Sequence, residues 1–274
     1  MPEIDHTSVN DYWENVKSSI LGPYVMDGFG FPVSAGEFRF RAEARIVQRL
    51  LRSSVYDGAV LDLGCGAGHW AEEFAQNFSH VVAVEGSSAL YSALTERCAT
   101  YSNIRTTHGN ILSFEPEGYY NLVFLGGLLM YLDEKDVIAL LQKLIPCLGP
   151  NGGIILCRES TVRGKTVTHK GDYPVVYRSV SDYTRIFKQC GIMPKHMEIN
   201  EPYVLVQMGC ELIKKWKVLI PERFQMLRIV GPLIYWAMRL GFPLLKHLPK
   251  TLGIPFPKLE NHFFVLTVEP VTTL

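Results

Sequence analysis

The sequence predicts an α/β fold, with a doubly wound, mostly parallel sheet, an antiparallel C-terminal edge pair and a helical insertion. Three observations carry this prediction. From Gly58 onward, short apolar runs alternate with stretches of helical periodicity, as in a parallel sheet covered by helices on both faces. The first of these runs ends in a glycine-rich turn that opens a helix. Hydrophobic residues make up 47% of the 274 positions and charged residues 20%, which suits a large packed core and excludes a disordered chain.

The elements follow in order. Residues 1–36 are rich in aromatics and glycine, with Tyr12, Trp13, Tyr24, Phe29 and Phe31, and predict a short helix near Val9–Ile20 within an N-terminal lid segment. GEFRFRAEARIVQRLL sets Phe38, Ala42, Ile46, Val47, Leu50 and Leu51 near helical spacing, with Arg39, Arg41, Arg45, Arg49 and Arg52 mostly on the other sides. GAVLDLG is a strand and HWAEEFAQNF a helix. VVAVE is the second strand, followed by a helix over Ser88–Thr100. NIRTTH is a third strand, short and more exposed, and YNLVFLGG a fourth, as continuously apolar as two-sided burial demands. Asp133 is placed to cap a helix running to Leu148, with Gly149 as its stop. GGIILCRE is the fifth strand, and Ser181–Cys190 forms a helix ending at Gly191. MPKHMEI and HFFVLTVEP are the edge pair. The core is thus residues 37–202 with 261–274, and residues 203–260 are the insertion.

Within the insertion, MLRIVGPLIYWAMRLGFPLLKHLPK is strongly apolar with sparse basic residues. On one continuous helix Arg228, Arg239 and Lys246 would share a side beside an apolar stripe, the pattern of a helix lying in a membrane interface. Pro232 and Pro243 are expected to start new short helices after Gly231 and Phe242, which would break that phase. A cap over an acceptor pocket, a homodimer contact and peripheral membrane contact all stay open.

Composition narrows the function. A net charge of zero gives no global pull toward nucleic acid or anionic membranes. Cys65, Cys98, Cys147, Cys157, Cys190 and Cys210 are scattered without a CxxC pair, which argues against a zinc centre and a disulfide framework. A polar, acidic beginning is unlike a signal peptide, and no run of about 20 apolar residues appears. A cytoplasmic protein without a metal is expected.

VLDLGCGAG, Val60–Gly68, carries most of the functional information. A strand ending in Asp62 runs into a turn with Gly64, Gly66 and Gly68, and glycine there permits positive φ and close approach to a ligand. In an open α/β sheet this turn borders the crevice at the carboxyl ends of the strands. A dinucleotide fingerprint reads G-x-G-x-x-G, whereas this turn reads D-x-G-x-G-x-G, which disfavours a nicotinamide-dependent oxidoreductase. Glu85 ends the second strand, where a carboxylate can accept the two hydroxyls of an adenosine ribose.

With these residues the chain resembles the class I S-adenosylmethionine-dependent methyltransferases, over roughly residues 36–200, of the small-molecule or lipid type. The resemblance implies a Rossmann-like sheet of order 3-2-1-4-5-7-6. It also implies S-adenosyl-L-methionine as cofactor, its methionine part at Asp62, Gly64, Gly66 and Gly68, with Cys65 among them. The ribose would lie at Glu85, with Gly86 and Ser87 following. Asn110 stands where the family usually has an acid against the adenine amino group, and its carbonyl can accept the same bond, while Ile111 can pack on the ring. Leu125 and Gly126, with Gly127, approach the sulfonium end. Asn121 departs from the aspartate that often opens the fourth strand, and no NPPY-type tetrapeptide follows it.

The implied acceptor is small and apolar or lipid-like. Methyl transfer is an in-line displacement in which positioning contributes much of the rate, and a base is needed only if the acceptor holds its proton. Tyr131 and Glu159 are candidate catalytic groups, as is His69, which alternatively caps a helix or faces solvent. Arg158, Tyr177 and Arg178 are candidate substrate contacts, and GDYPVVYRSVSDY a candidate lid. Tyr12 and Trp13 either close over the cofactor or anchor the N-terminal helix. The alternative to an enzyme is a non-catalytic S-adenosyl-binding or scaffold protein that docks through the insertion.

Overall fold

The computed structural model describes residues 4–15, 24, 29–51, 58–149, 152–171, 173–247, 251–254 and 256–268. The chain divides into two compact units, one of residues 1–18, 48–198 and 262–274, the other of residues 19–47 and 199–261.

The first unit holds the sheet. Its strands are β1 (Ala59–Leu63), β2 (His80–Glu85), β3 (Ile104–His108), β4 (Leu122–Leu125), β5 (Ile154–Val162), β6 (Val167–His169) and β7 (Val175–Ser179), with β8 (Ile192–Ile199) and β9 (Leu259–Val268) at the C-terminal edge. The path runs β3-β2-β1-β4-β5-β7-β6, and β9 pairs both β5 and β8. Neighbours from β3 to β5 are parallel, as are β5 and β7, while β6 and β7 are antiparallel. The order 3-2-1-4-5 and the pairing of the last two strands match the sequence expectation. The β6–β7 hairpin does not: the stretch read as a lid contains β7, whose Arg178 and Ser179 align with Thr161 and Val162 of β5. Its apolar signal, Val175 and Val176, was too short to separate from a loop.

Central strands are buried on both faces, while β3 is half exposed, as an edge strand should be. The two-residue period sorts β1. Leu61 and Leu63 join Val82, Val84, Val123 and Leu125 in the core beneath α5 (Glu134–Leu144) and α6 (Val180–Gln189). Opposite them, Trp70 and Phe74 of α3 (His69–Ala75) pack on Phe124 of β4 with ring centroids 4.9 and 5.1 Å away. Asp62, in register with Phe124, lies on that face. Asn121, before β4, accepts the Ala59 N–H at 3.1 Å. A Cβ on Gly58 would sit 1.8 Å from its Oδ1, so this side chain occupies the space of a missing one.

α1 (His6–Glu14) is capped by Asp5, which accepts the Thr7 N–H at 3.0 Å. It begins earlier than predicted, and residues 16–20 of the expected helix lie outside the described residues. Asp133 does stand at the N-cap of α5, but its carboxylate accepts the Ile4 N–H at 3.0 and 3.1 Å instead of capping. α4 (Ser88–Cys98) is capped by Ser87.

The second unit contains most of α2 (Val33–Leu50), α7 (Glu201–Leu219) and α8 (Leu227–Leu245). Arg39, expected on an outer side of its helix, is buried, its Nε 2.7 Å from the fully buried Glu43. Asn200 Nδ2 donates to the same carboxylate at 2.7 Å and the Tyr24 hydroxyl bonds its other oxygen. The Arg39 guanidinium lies over the rings of Tyr24 and Tyr203 at 3.8 and 4.7 Å. A buried ion pair needs such partners, and these are remote in sequence. α8 differs from the expectation at its prolines. Pro232 and Pro243 lie inside one unbroken helix. An internal proline costs roughly 3 kcal/mol, here offset by burial of Gly231, Tyr235 and Met238 along one face. A Cβ on Gly231 would come within 2.2 Å of the Gly30 carbonyl oxygen, so glycine permits that approach.

Candidate functional site

The turn after β1 folds onto the end of β2. The Gly64 and Cys65 N–H groups both donate to the Val84 carbonyl, at 2.9 and 3.2 Å. Gly64, Gly66 and Gly68 have φ of 67°, 58° and 83°, a region that side chains with a Cβ disfavour. At Gly66 an added Cβ would meet nothing within 4 Å. Glycine is required there by conformation, and the backbone faces open space. Arg97 of α4 buttresses the turn, its Nε donating to the Ala67 carbonyl at 2.9 Å.

Glu85 ties this turn to the next helix. One oxygen accepts the Gly66 N–H and the other the Ser87 N–H, both at 2.8 Å. Burial pushes its pKa up, opposed by the amide bonds of Ser87, Gly66 and Gly86. The carboxylate keeps acceptor capacity beyond these amides for a ligand hydroxyl. Asp62 is buried deeper, at 1% exposure, and its Oδ2 has no hydrogen-bond partner among the described residues. Desolvation, then the charge of Glu85, raise it to about 8, while Arg158 pulls the other way. The Cys65 thiol is held well above its ordinary range by burial and by these two acids. An open cradle beside a buried carboxyl whose Oδ2 is unpartnered fits a ligand that carries a cationic group, which would displace the proton that burial retains.

The structure separates the remaining candidates. Asn110 Oδ1 accepts the Leu112 N–H at 2.8 Å, closing its own turn, and Ile111 packs against the main core. The side chain of Leu125 is fully buried in that core, so only its backbone reaches the strand end. Gly126 accepts Arg158 Nη2 at 2.8 Å. Glu159 is fully buried and Oε1 accepts the Leu128 and Leu129 N–H groups, both at 3.0 Å; burial raises its pKa to about 7. Arg178, also buried, donates to the Leu129 and Leu132 carbonyls at 2.7 and 2.6 Å. Glu159 Oε1 and Arg178 therefore clamp the short helical turn Leu129–Tyr131, while Glu159 Oε2, also buried, has no hydrogen-bond partner among the described residues. His69 begins α3, and burial followed by Arg97 lowers it to about 4, so it is neutral at pH 7 and a weak base.

The clamped turn presents Tyr131 to an aromatic cluster. Tyr131 and Tyr173 hydroxyls bond at 2.6 Å, Trp13 meets Tyr131 edge-on at 5.5 Å, and Tyr12 meets Tyr173 at 4.7 Å. Tyr177 packs beside them and against His169, and burial holds the Tyr131 phenol far above its usual range. Tyr173, absent from the sequence candidates, lies in the stretch read as a lid. The C-terminal end of α1 is tied to the start of α4, just past Glu85: Ser87 Oγ donates to the Trp13 carbonyl at 3.0 Å and the Ser88 N–H to Glu14 at 2.7 Å. Beside α1 and the β6–β7 hairpin, a cavity of about 790 Å³ is lined by Asp5, Asp11, Tyr12, Asn15, His169 and Lys170 among others. His6, Asp133 and Asp136 also converge, but His6 bonds Asp136 at 3.1 Å and Asp133 holds Ile4, so the cluster fastens the N-terminal segment.

Comparison with known proteins fits this geometry. Residues 60–152 match the family model described as methyltransferase domain. Phosphoethanolamine N-methyltransferase 1 of Triticum aestivum is 31% identical over 135 residues, 48% of this chain and only 27% of that relative. Alpha N-terminal protein methyltransferase 1 of Drosophila melanogaster is 26% identical over 227 residues, 77% of each chain. A SAM-dependent methyltransferase of Leishmania major superposes with a TM-score of 0.63 at 14% identity, covering 95% of this chain and 82% of that one.

Proposed function

We propose, from the premise that this chain carries a class I S-adenosylmethionine-dependent methyltransferase domain, that it transfers a methyl group in line to the amine nitrogen of a small, lipid-like acceptor. The observation that carries the cofactor half is the buried, unpartnered Oδ2 of Asp62 beside the Glu85-anchored glycine turn. Asp62 would hold the cationic amino group of the methionine part, the turn's backbone would line it, and Glu85 would receive the ribose hydroxyls. When bound, the cofactor supplies the activated methyl group. The clamp of Glu159 and Arg178 fixes the turn bearing Tyr131, and the burial of the cluster keeps water from it.

The acceptor half rests on the aromatic cluster and the adjacent acids. An amine is an ammonium at neutral pH, and ring faces attract it by about 0.5–2 kcal/mol. It would lose that proton to solvent at the cavity before its lone pair attacks, the N–C bond forming as the C–S bond of the sulfonium breaks. Asp5 and Asp11 add negative charge at the cavity that Tyr12 lines. The wheat relative is named as an N-methyltransferase of a small amine, which supports this acceptor atom, while the Drosophila relative is named for a protein N-terminus.

Calorimetry with S-adenosylmethionine and S-adenosylhomocysteine tests the site. Micromolar binding lost in Asp62→Ala and Glu85→Ala is expected, and an absence of binding by wild type would end the reading. A turnover screen of amines, alcohols and thiols then tests the acceptor. Tyr12→Ala and Asp11→Asn should raise KM for the amine while leaving cofactor affinity unchanged. Binding without turnover of any acceptor would leave a cofactor-binding protein and remove the enzymatic reading.

A further inference from the structure

The outer face of α8 is apolar where a surface helix should be polar. Its inner face buries Gly231, Tyr235 and Met238 in the second unit. Its outward positions are Ile229, Leu233, Trp236, Leu240 and Leu244, spaced by three or four residues and therefore on one stripe. Leu240 and Leu244 are each 81% exposed and Leu233 64%. The unbroken helix through Pro232 and Pro243 keeps this stripe in phase. It also keeps the basic positions in phase: Arg228, Arg239 and Lys246 fall along one flank, where Lys246 is paired with Glu201 at 2.7 Å and Arg228 is exposed. Arg239 packs over Phe38 and Trp236, at 4.0 and 5.1 Å.

Charge identifies what such a face suits. Residues 199–261 hold nine Lys and Arg against four Asp and Glu, a net +5 in a chain whose total is zero. The whole-chain balance hides a basic segment set against an acidic remainder. An apolar stripe with a basic flank matches the two layers of an anionic lipid surface, hydrocarbon beneath and phosphate above. No helix of the described residues is long and apolar enough to cross a membrane, so the fitting geometry is a helix lying along it. We propose that the outer face of α8 docks on an anionic bilayer, with Leu233, Trp236 and Leu240 inserted and Arg228 near the phosphates.

The test is flotation of the full chain with phosphatidylcholine vesicles, with and without phosphatidylserine. Wild type should float with the anionic vesicles, and less so as salt is raised, because the basic flank is screened. Trp236 emission should shift to the blue on binding, a change that Trp236→Phe removes. The double variant Leu233→Glu with Leu240→Glu should bind at least about tenfold more weakly, having lost two buried leucines. Its unchanged melting and S-adenosylhomocysteine affinity would show that the fold survives. Wild type that stays with neither vesicle overturns the proposal. So does a dimer in light scattering that the double variant dissociates, because the face is then covered by a second copy. Neither outcome touches the methyl-transfer reading, which cofactor binding tests separately.

Discussion

Asp62→Asn should stabilise the protein at neutral pH while crippling its cofactor site. The Asp62 carboxyl is raised to about 8 from an ordinary 3.8, so between those values the folded chain holds a proton that the unfolded chain has released. Its contribution to stability is full below about pH 4 and is lost as pH rises toward 8. At about 1.4 kcal/mol per unit, the loss by pH 7.5 is at most about 5 kcal/mol. Asparagine has the same shape and no such loss, but its buried amide costs about 1–3 kcal/mol where it finds no partner. Stability curves of the two proteins against pH should therefore cross. The variant is the weaker at pH 4.5 and the stronger at pH 7.5, by about 2–4 kcal/mol once the amide cost is subtracted. Urea unfolding at several pH values reads this. Glu159, raised to about 7, tilts both curves the same way and cancels in the difference. Calorimetry should show S-adenosylmethionine affinity down by at least about tenfold, the loss of one charge-assisted contact. A variant whose unfolding tracks wild type at every pH would refute the argument, because Asp62 would then carry no trapped proton.

Gly66→Ala meets no atom but must hold a φ of 58°, so it should lose about 1–2 kcal/mol in thermal unfolding and weaken cofactor binding more than stability. Arg178→Met removes both bonds to the Leu129 and Leu132 carbonyls, and a loss of about 3 kcal/mol is expected in urea unfolding; a variant that keeps its stability and changes only acceptor KM would mark Arg178 as a substrate contact instead. Tyr131→Phe and His69→Gln should leave the pH–rate profile between pH 6 and 9 unmoved, since one group titrates far above that window and the other at about 4. A displaced limb in either variant would identify a base that the geometry does not favour.

Much of the first unit was legible because its signals are local. VLDLGCGAG is a strand, a turn and a helix start in nine consecutive residues, and Glu85 closes the following strand. The order β3-β2-β1-β4-β5 is the one that the family resemblance of those residues implies. What escaped depends on distance. Arg39 looks like an exposed helix position until Glu43, Asn200 and two tyrosines surround it. Arg178 and Glu159 read as polar groups at strand ends, and only the folded turn at Leu129–Tyr131 supplies the carbonyls and amides that absorb them. Asn110 stands at the expected place, but its carbonyl closes a turn two residues away. The prolines of α8 were judged on backbone preference alone, and burial outweighed it.

The second unit is assembled from two stretches far apart along the chain, which bears on how the protein is made. Glu43 is synthesised 157 residues before Asn200, the residue that donates to its buried carboxylate. At about 5–20 residues per second, a ribosome takes roughly 8–30 s to cover that interval. Throughout it, residues 33–47 emerge as a helix whose Arg39–Glu43 pair has no completed interior to enter. Contacts of such sequence separation fold slowly and leave apolar surface exposed in the meantime. The nascent chain therefore meets its greatest risk of aggregation before residue 261 has been added, and production should respond to slower synthesis or added chaperone.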